Sequence, residues 1–270
     1  MSLRSAELPP RSQRYGYSLL NKDRREIRLV QIKPDADSTN PIQLILRTAA
    51  LAQHDDASES CQANSQNQER AGSANPARTE SDIATEHSQT DGGFIALSYV
   101  WGSEKILSDV RIEDSSGSGW LSVRQNLHDF LTTRRNSSVH SPWFWIDQLC
   151  INQSDDQERG HQVYQMSQIY LTAISVEVWL GLGFEGSDEA MDILCQNAIN
   201  PASVTVEEQR IHAPALEKIS ELPYWWRLWI VQEILLGNDV WIRLGNKRAP
   251  WPDAFSILPD PNFCIYVLHQ

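Results

Sequence analysis

Polar and apolar positions alternate along Glu26-Ile27-Arg28-Leu29-Val30-Gln31-Ile32 and again along Ile42-Gln43-Leu44-Ile45-Leu46-Arg47 after Pro41. A period of two predicts half-buried strands, here joined as a hairpin. Phe94-Ile95-Ala96-Leu97-Ser98-Tyr99-Val100 is mostly apolar and lies between Gly92-Gly93 and Trp101-Gly102, which predicts a central strand followed by a tight turn. Leu121, Leu127, Phe130 and Leu131 fall at roughly helical spacing, so a helix is expected over 121–131. Trp143-Phe144-Trp145-Ile146 after Pro142 predicts a second buried strand, closed by the polar segment 147–157.

The pattern then changes to a period near 3.6. Ser154 and Gln157 have the capping-box spacing, Asp155, Asp156 and Glu158 suit the positive end of a helix, and Val163, Met166, Ile169, Tyr170 and Ala173 line one face. Val176-Glu177-Val178-Trp179-Leu180 predicts a third strand stopped by Gly181, and 187–220 is helical but less regular. Pro223 is expected to start a helix running through Tyr224-Trp225-Trp226-Arg227-Leu228-Trp229-Ile230-Val231-Gln232-Glu233-Ile234-Leu235-Leu236, with Gly237 in the place of a C-cap. Val240-Trp241-Ile242-Arg243-Leu244 and Gly245-Asn246 read as strand and turn. Strands alternating with helices predict an α/β fold, a mostly parallel central sheet flanked by helices, with an N-terminal β-hairpin. Ligands of such sheets sit beyond the carboxyl ends of strands, which marks 98–105 and 147–153.

Composition adds three points. First, 270 residues with 41% hydrophobic content and ten tryptophans can build a real core, and every tryptophan follows residue 100. Second, residues 52–91 carry eight acids and two bases, no aromatic residue and Ile83 as the one large aliphatic. Such a stretch cannot bury enough apolar surface to offset its ordering entropy, so it is expected to be a disordered insertion. Third, a net charge of -12 without a basic portion argues against nucleic acid or an anionic membrane as partner. Cys61, Cys150, Cys195 and Cys264 match no zinc or redox spacing and suit a reducing cytosol. No stretch reaches the roughly 18 apolar residues needed to span a bilayer, and a cytoplasmic location is expected.

Glu233 stands out chemically, because a carboxylate removed from water costs several kcal/mol unless paired or hydrogen-bonded. On a continuous helix Trp226, Trp229 and Glu233 are spaced i, i+3, i+7 and would share one face. Either the tryptophans are core and Glu233 pairs with an arginine such as Arg227 or Arg243, or the acid is functional. Asp147, Asn152 and Gln153 either line a ligand cleft or satisfy the loop and the following helix N-terminus, the second reading being favoured for Asn152. Cys150 with His161 as nucleophile and base is weighed against a buried small hydrophobe, which is favoured. Glu158-x-x-His161 is half of a carboxylate-bridged metal pattern without a second copy, and Gly181-Leu182-Gly183 lacks the rest of any phosphate loop.

A family resemblance rests on three blocks. They are Ala96-Leu97-Ser98-Tyr99-Val100-Trp101-Gly102, then Trp145-Ile146-Asp147-Gln148-Leu149-Cys150-Ile151-Asn152-Gln153 continuing through Glu158-Arg159 and Val178-Trp179-Leu180-Gly181, and Arg227-Leu228-Trp229-Ile230-Val231-Gln232-Glu233. In order and content they resemble the fungal heterokaryon incompatibility (HET) domain, from about Tyr15 to about Trp251. The expected organisation is a flexible N-terminus over 1–14, the HET domain over 15–258 and a tail over 259–270. The resemblance implies non-self recognition between fungal individuals and execution of regulated cell death, with itself or another incompatibility protein as partner. The end at Gln270 raises the alternative of an inactive truncated scaffold.

Trp229-x-x-x-Glu233 and Ser98-Tyr99 are in turn similar to elements of TIR domains that cleave NAD. On that likeness Glu233 is the catalytic candidate, and Ser98, Tyr99, Trp101, Asp147, Asn152, Gln153 and Trp229 are the ligand-side candidates. No cofactor is required and NAD is the alternative substrate. Cleavage of an N-glycosidic bond passes through an oxocarbenium-like state that a nearby carboxylate stabilises.

Overall fold

The structure, a computed structural model, describes residues 13–51, 93–136, 141–251 and 256–258. The expected insertion over 52–91, the first twelve residues of the N-terminal segment expected over 1–14 and the expected tail over 259–270 lie outside the described residues.

Among the described residues nine strands form one sheet: β1 (Glu26–Ile32), β2 (Gln43–Ala50), β3 (Ile95–Tyr99), β4 (Leu107–Asp114), β5 (Gly117–Arg124), β6 (Trp143–Trp145), β7 (Ser175–Trp179), β8 (Val240–Leu244) and β9 (Lys247–Pro250). Their spatial order is β5-β4-β2-β1-β6-β3-β7-β8-β9. The expectation of a mostly parallel sheet needs correction, because the sheet is mixed. A parallel run, β6-β3-β7-β8, occupies one part, while β1–β2, β4–β5 and β8–β9 are antiparallel pairs and β1 meets β6 antiparallel. The short connections of the last two pairs, and the ten-residue connection of the first, leave no room for a crossover helix, so these pairs run antiparallel. The N-terminal hairpin is present as read.

The β4–β5 hairpin went unread in the sequence. Its cue is the alternation that buries Val110 and Ile112 while Arg111 stays exposed. Asp114 closes the two-residue turn by accepting from the Ser116 and Gly117 amides. Because β5 runs to Arg124, the helix expected from 121 starts later, as α1 (Gln125–Arg135), and buries Leu127, Phe130 and Leu131. Phe130 meets Phe144 and Trp179 edge-on, each at 5.6 Å between centroids, tying α1 to β6 and β7.

Five more helices follow: α2 (Asp147–Cys150), α3 (Asp156–Thr172), α4 (Ser187–Ile199), α5 (Val206–Ser220) and α6 (Ile230–Leu235). Asp155 rather than Ser154 caps α3, accepting from the Gln157 and Glu158 amides at 2.9 and 3.0 Å. The predicted apolar face of α3 is only partly used. Ile169, Tyr170 and Ala173 are buried, Val163 is exposed, and Glu158, Gln162 and Gln165 take inward positions. The polar intruders are possible because the chain entering β1 offers partners, such as Glu26 O for Gln162 Nε2 at 3.0 Å.

The run from Pro223 is not one helix. Pro223–Trp226 is a 3-10 turn, Arg227 is extended with φ -82° and ψ 136°, and α6 begins at Ile230. Gly237 follows α6 where expected, but its role is close packing. A Cβ there would stand 2.7 Å from Val176 Cγ2 and 2.8 Å from Val240 Cγ2.

Candidate functional site

The site is built where β3 and β6 end. All five β3 residues are buried, so the last two, Ser98 and Tyr99, bring polar groups into the core and must find partners there. Ser98 Oγ donates to Glu233 Oε2. With its one proton committed, it accepts from the Tyr224 hydroxyl at 2.6 Å. Arg227 completes the group by donating Nη1 to Glu233 Oε2 at 2.9 Å and Nη2 to Oε1 at 3.0 Å, while Nη1 also lies 3.4 Å from Ser98 Oγ. This fork satisfies both carboxylate oxygens of a residue only 1% exposed.

Charge follows geometry. Desolvation works against the Arg227 cation, but the Glu233 charge and its hydrogen bonds outweigh it and raise the guanidinium pKa. Burial, reinforced by the Glu233 charge, pushes the Tyr224 hydroxyl well above its usual range, and Tyr170 shows the same order of causes. Both tyrosines therefore act as neutral hydrogen-bond donors, Tyr170 to Leu97 O at 3.2 Å.

A second carboxylate lies on the same side. Asp147 opens α2 directly after β6 and accepts from Trp101 Nε1 at 2.6 Å and from the Gln148 amide at 2.7 Å. Burial pushes its pKa up to about 6, the Trp101 bond opposes this, and the Glu233 charge adds to it. Burial, with Asp147 next, also raises the Tyr99 hydroxyl, whose oxygen lies 3.4 Å from Gln148 Oε1. Arg124 stacks over Trp101 at 4.7 Å and pairs with Glu104.

Of the candidates read from sequence, Ser98, Tyr99, Trp101, Asp147 and Glu233 converge. Asn152 instead holds its own loop, its Oδ1 accepting from the Ser154 amide and hydroxyl at 3.2 and 3.0 Å. Gln153 braces Asp147 from behind, with Nε2 on Asp147 O at 2.9 Å. Trp229 does not join the cluster. It is 48% exposed, although its backbone is helical and its carbonyl accepts from the Glu233 amide at 3.2 Å. Trp226 is also exposed, so neither tryptophan is core. Tyr224 and Tyr170 were missed, since a hydroxyl among aromatic neighbours leaves no periodic signal. Of the two arginines offered as partners for Glu233, Arg227 is the one used, and Arg243 pairs with Glu177 on the neighbouring strand.

The weaker motifs resolve structurally. Glu158 forks onto buried Arg28 at 2.6 and 3.0 Å. Among the described residues no group of three or more His, Cys, Asp or Glu side chains could hold a metal ion. Cys150 is fully buried, with burial pushing its thiol up to about 12. No helix among the described residues is long and apolar enough to cross a membrane.

These interactions tie together elements far apart in the chain, from the end of β3 through α2 to α6, and the comparisons with known proteins cover the same span. The heterokaryon incompatibility protein (HET) family model matches residues 94–233, starting one residue before β3 and ending on Glu233 itself. Heterokaryon incompatibility protein 6, OR allele, of Neurospora crassa is 36% identical over 185 residues, which are 66% of this chain and 24% of that protein. The chain thus matches about a quarter of that relative's length. No solved structure matches. With just over half of its length matched by the family model, the chain belongs to the fungal heterokaryon incompatibility (HET) family.

Proposed function

We propose that this domain acts in vegetative incompatibility, and that its output is regulated cell death set off by contact with a second protein, either another copy or another incompatibility protein. Membership of the HET family and the name of the Neurospora relative support the biological setting. The observation that carries the contact mechanism is the ridge beside the cluster. Trp226 is 81% exposed, Leu228 84% and Trp229 48%, while Arg227 between them turns inward to Glu233. Large apolar side chains held out together on a turn pinned by the Arg227–Glu233 pair mark an interaction surface.

The test is expression of the chain in a filamentous fungus beside a variant with Trp226, Leu228 and Trp229 all changed to Ser. Growth arrest by the parent, lost in the folded variant, is expected. Arrest that persists in the variant sinks the contact mechanism, and a parent that never arrests growth favours the inactive-scaffold reading.

NAD cleavage centred on Glu233 is the second reading. In its favour, Ser98, Tyr99, Asp147 and Glu233 lie together at the strand ends where α/β folds place ligands. The sealed carboxylate weighs against it, since Arg227 would have to leave before a ribose could approach. NAD turnover by the purified domain, abolished in a folded Glu233→Gln variant, would establish it. Equal absence of turnover in parent and variant would remove it.

A further inference from the structure

Four exposed apolar side chains stand within ten residues: Trp226, Leu228 and Trp229 of the ridge, and Leu235, 45% exposed on α6. Among the described residues no other stretch of ten holds more than two, so apolar surface is concentrated here rather than scattered. At their measured exposures the four side chains present about 550 Å² to solvent, the upper end of what a monomer leaves bare in one patch.

Charge narrows what can cover this surface. Between Glu221 and Asp239 the chain carries two charged residues, Arg227 and Glu233, and they neutralise each other in their fork. Gln232, exposed between Trp229 and Leu235, is uncharged. The ridge thus offers area and shape but no net charge, while the chain as a whole carries -12. A membrane surface fits poorly. Segments that lie among lipid headgroups set Trp and Leu beside Lys or Arg, whereas the charges that bracket this run, Glu221 and Asp239, are acidic. A basic protein fits no better, because the ridge has no unpaired acid to meet it. The surface that fits is itself neutral and apolar, and every copy of this chain carries one.

Area agrees with that choice. Two ridges in contact would remove about 1,100 Å² from water, just above the level at which an interface is specific and well below that of an obligate dimer. A two-fold arrangement lets the same patch serve both copies and leaves none of it open to a third.

We infer that the ridge is a self-association surface, on which two copies of this chain meet about a two-fold axis. Trp226, Leu228, Trp229 and Leu235 of each copy pack against the same four residues of the other. The inference rests on the contact mechanism proposed above and names its partner. Association is weak, half-dissociating at about 10–500 μM, so copies part when dilute and pair where they are crowded together. The acidic charge of each copy opposes pairing, and salt therefore tightens it.

Sedimentation velocity of the purified full chain from about 5 to 500 μM tests this. A monomer–dimer equilibrium is expected, tightening severalfold between about 0.05 and 0.5 M salt. Leu228→Asp and Leu228→Lys alter a position 84% exposed, so each should keep the parent's thermal melt. Each alone should stay monomeric, because the two-fold axis sets like charges against each other, and mixed one to one they should pair again. A parent still monomeric at about 500 μM overturns the inference. So does a dimer that both variants leave intact, a dimer that loosens in salt, or variants that fail to pair when mixed. A monomeric parent that binds phosphatidylcholine vesicles would overturn it in favour of a membrane. Growth arrest that depends on the ridge while the parent is monomeric would overturn this inference alone, leaving the proposed function with another incompatibility protein as partner. A dimer without growth arrest would do the reverse.

Discussion

Arg227 and Glu233 close a two-point ion pair, at 2.9 and 3.0 Å, across the bend that separates the 3-10 turn from α6. That pair decides what its neighbours do. An extended residue pulled inward by a buried carboxylate leaves Trp226 and Leu228, on either side of it, pointing to solvent. One interaction thus anchors Ser98 and Tyr224 inside and sets up the apolar ridge outside.

Arg227→Leu should therefore be costly, because it strands a buried carboxylate. A loss of about 3–5 kcal/mol is expected, with the double variant Arg227→Leu, Glu233→Leu recovering most of it. Urea unfolding of the single and double variants measures this. Additive losses in the double variant would mean that the two side chains are not coupled.

Asp147 predicts a pH dependence of definite sign. The carboxyl ionises near 3.8 in the unfolded chain and at about 6 in the fold. Below pH 4 both states hold the proton and no penalty exists. Between about pH 4 and 6 the unfolded state alone releases it, so this residue's contribution falls as pH rises, levelling off above 6 at a cost of about 2–3 kcal/mol. Asp147→Asn should remove that slope, so the difference in stability between variant and parent should rise from pH 4 to 6 and then stay flat. A difference that does not change with pH would show that Asp147 titrates normally.

The parallel strands could be read from sequence because each is a short apolar run with clear stops. β3, β6, β7 and β8 lie within a residue or two of the segments bounded by Trp101, Pro142, Gly181 and Gly245. β4 and β5 were harder, since their polar outward faces and the Ser-Gly turn dilute the alternation of Val110 and Ile112. The Trp-rich run misled for the opposite reason. Where nearly every residue is apolar no period distinguishes inside from outside, so a proline-started 3-10 turn and an inward arginine could redirect the chain unseen.

The candidate site shows the same division. Ser98, Tyr99 and Asp147 were found because strand ends are predictable, and Glu233 because a buried acid is conspicuous. Trp229 was placed with them by the Trp-x-x-x-Glu likeness and by helical spacing, and it does stand one turn before Glu233, but it is half exposed and does not join the cluster.

Gly237→Ala should destabilise through overpacking. The added methyl would stand 2.7 Å from Val176 Cγ2 and 2.8 Å from Val240 Cγ2, both on core strands with little room to shift. A loss of about 1–3 kcal/mol is expected. Val176→Ala in the same chain should recover part of it by opening space. A thermal melt in which Gly237→Ala is neutral would show that the α6–β8 connection moves freely.

Arg28 and Glu158 give the last prediction, and a control beside it. Glu158 Oε1 accepts from Arg28 Nη1 at 2.6 Å and from the Asn152 amide at 2.7 Å, while Arg28 Nη1 also donates to Cys150 O at 3.0 Å. The pair therefore clamps the segment carrying Asp147 between β1 and α3. Glu158→Gln leaves a buried guanidinium without its counter-charge, for an expected loss of about 3–5 kcal/mol. It should also speed hydrogen exchange at Asn152, whose amide loses a charged acceptor. Arg210 and Glu207 form a similar fork on the surface of α5, yet Glu207→Gln should leave the unfolding midpoint unchanged because solvent already serves both groups. Equal effects from the two substitutions would mean that burial is not what gives the Arg28–Glu158 pair its strength.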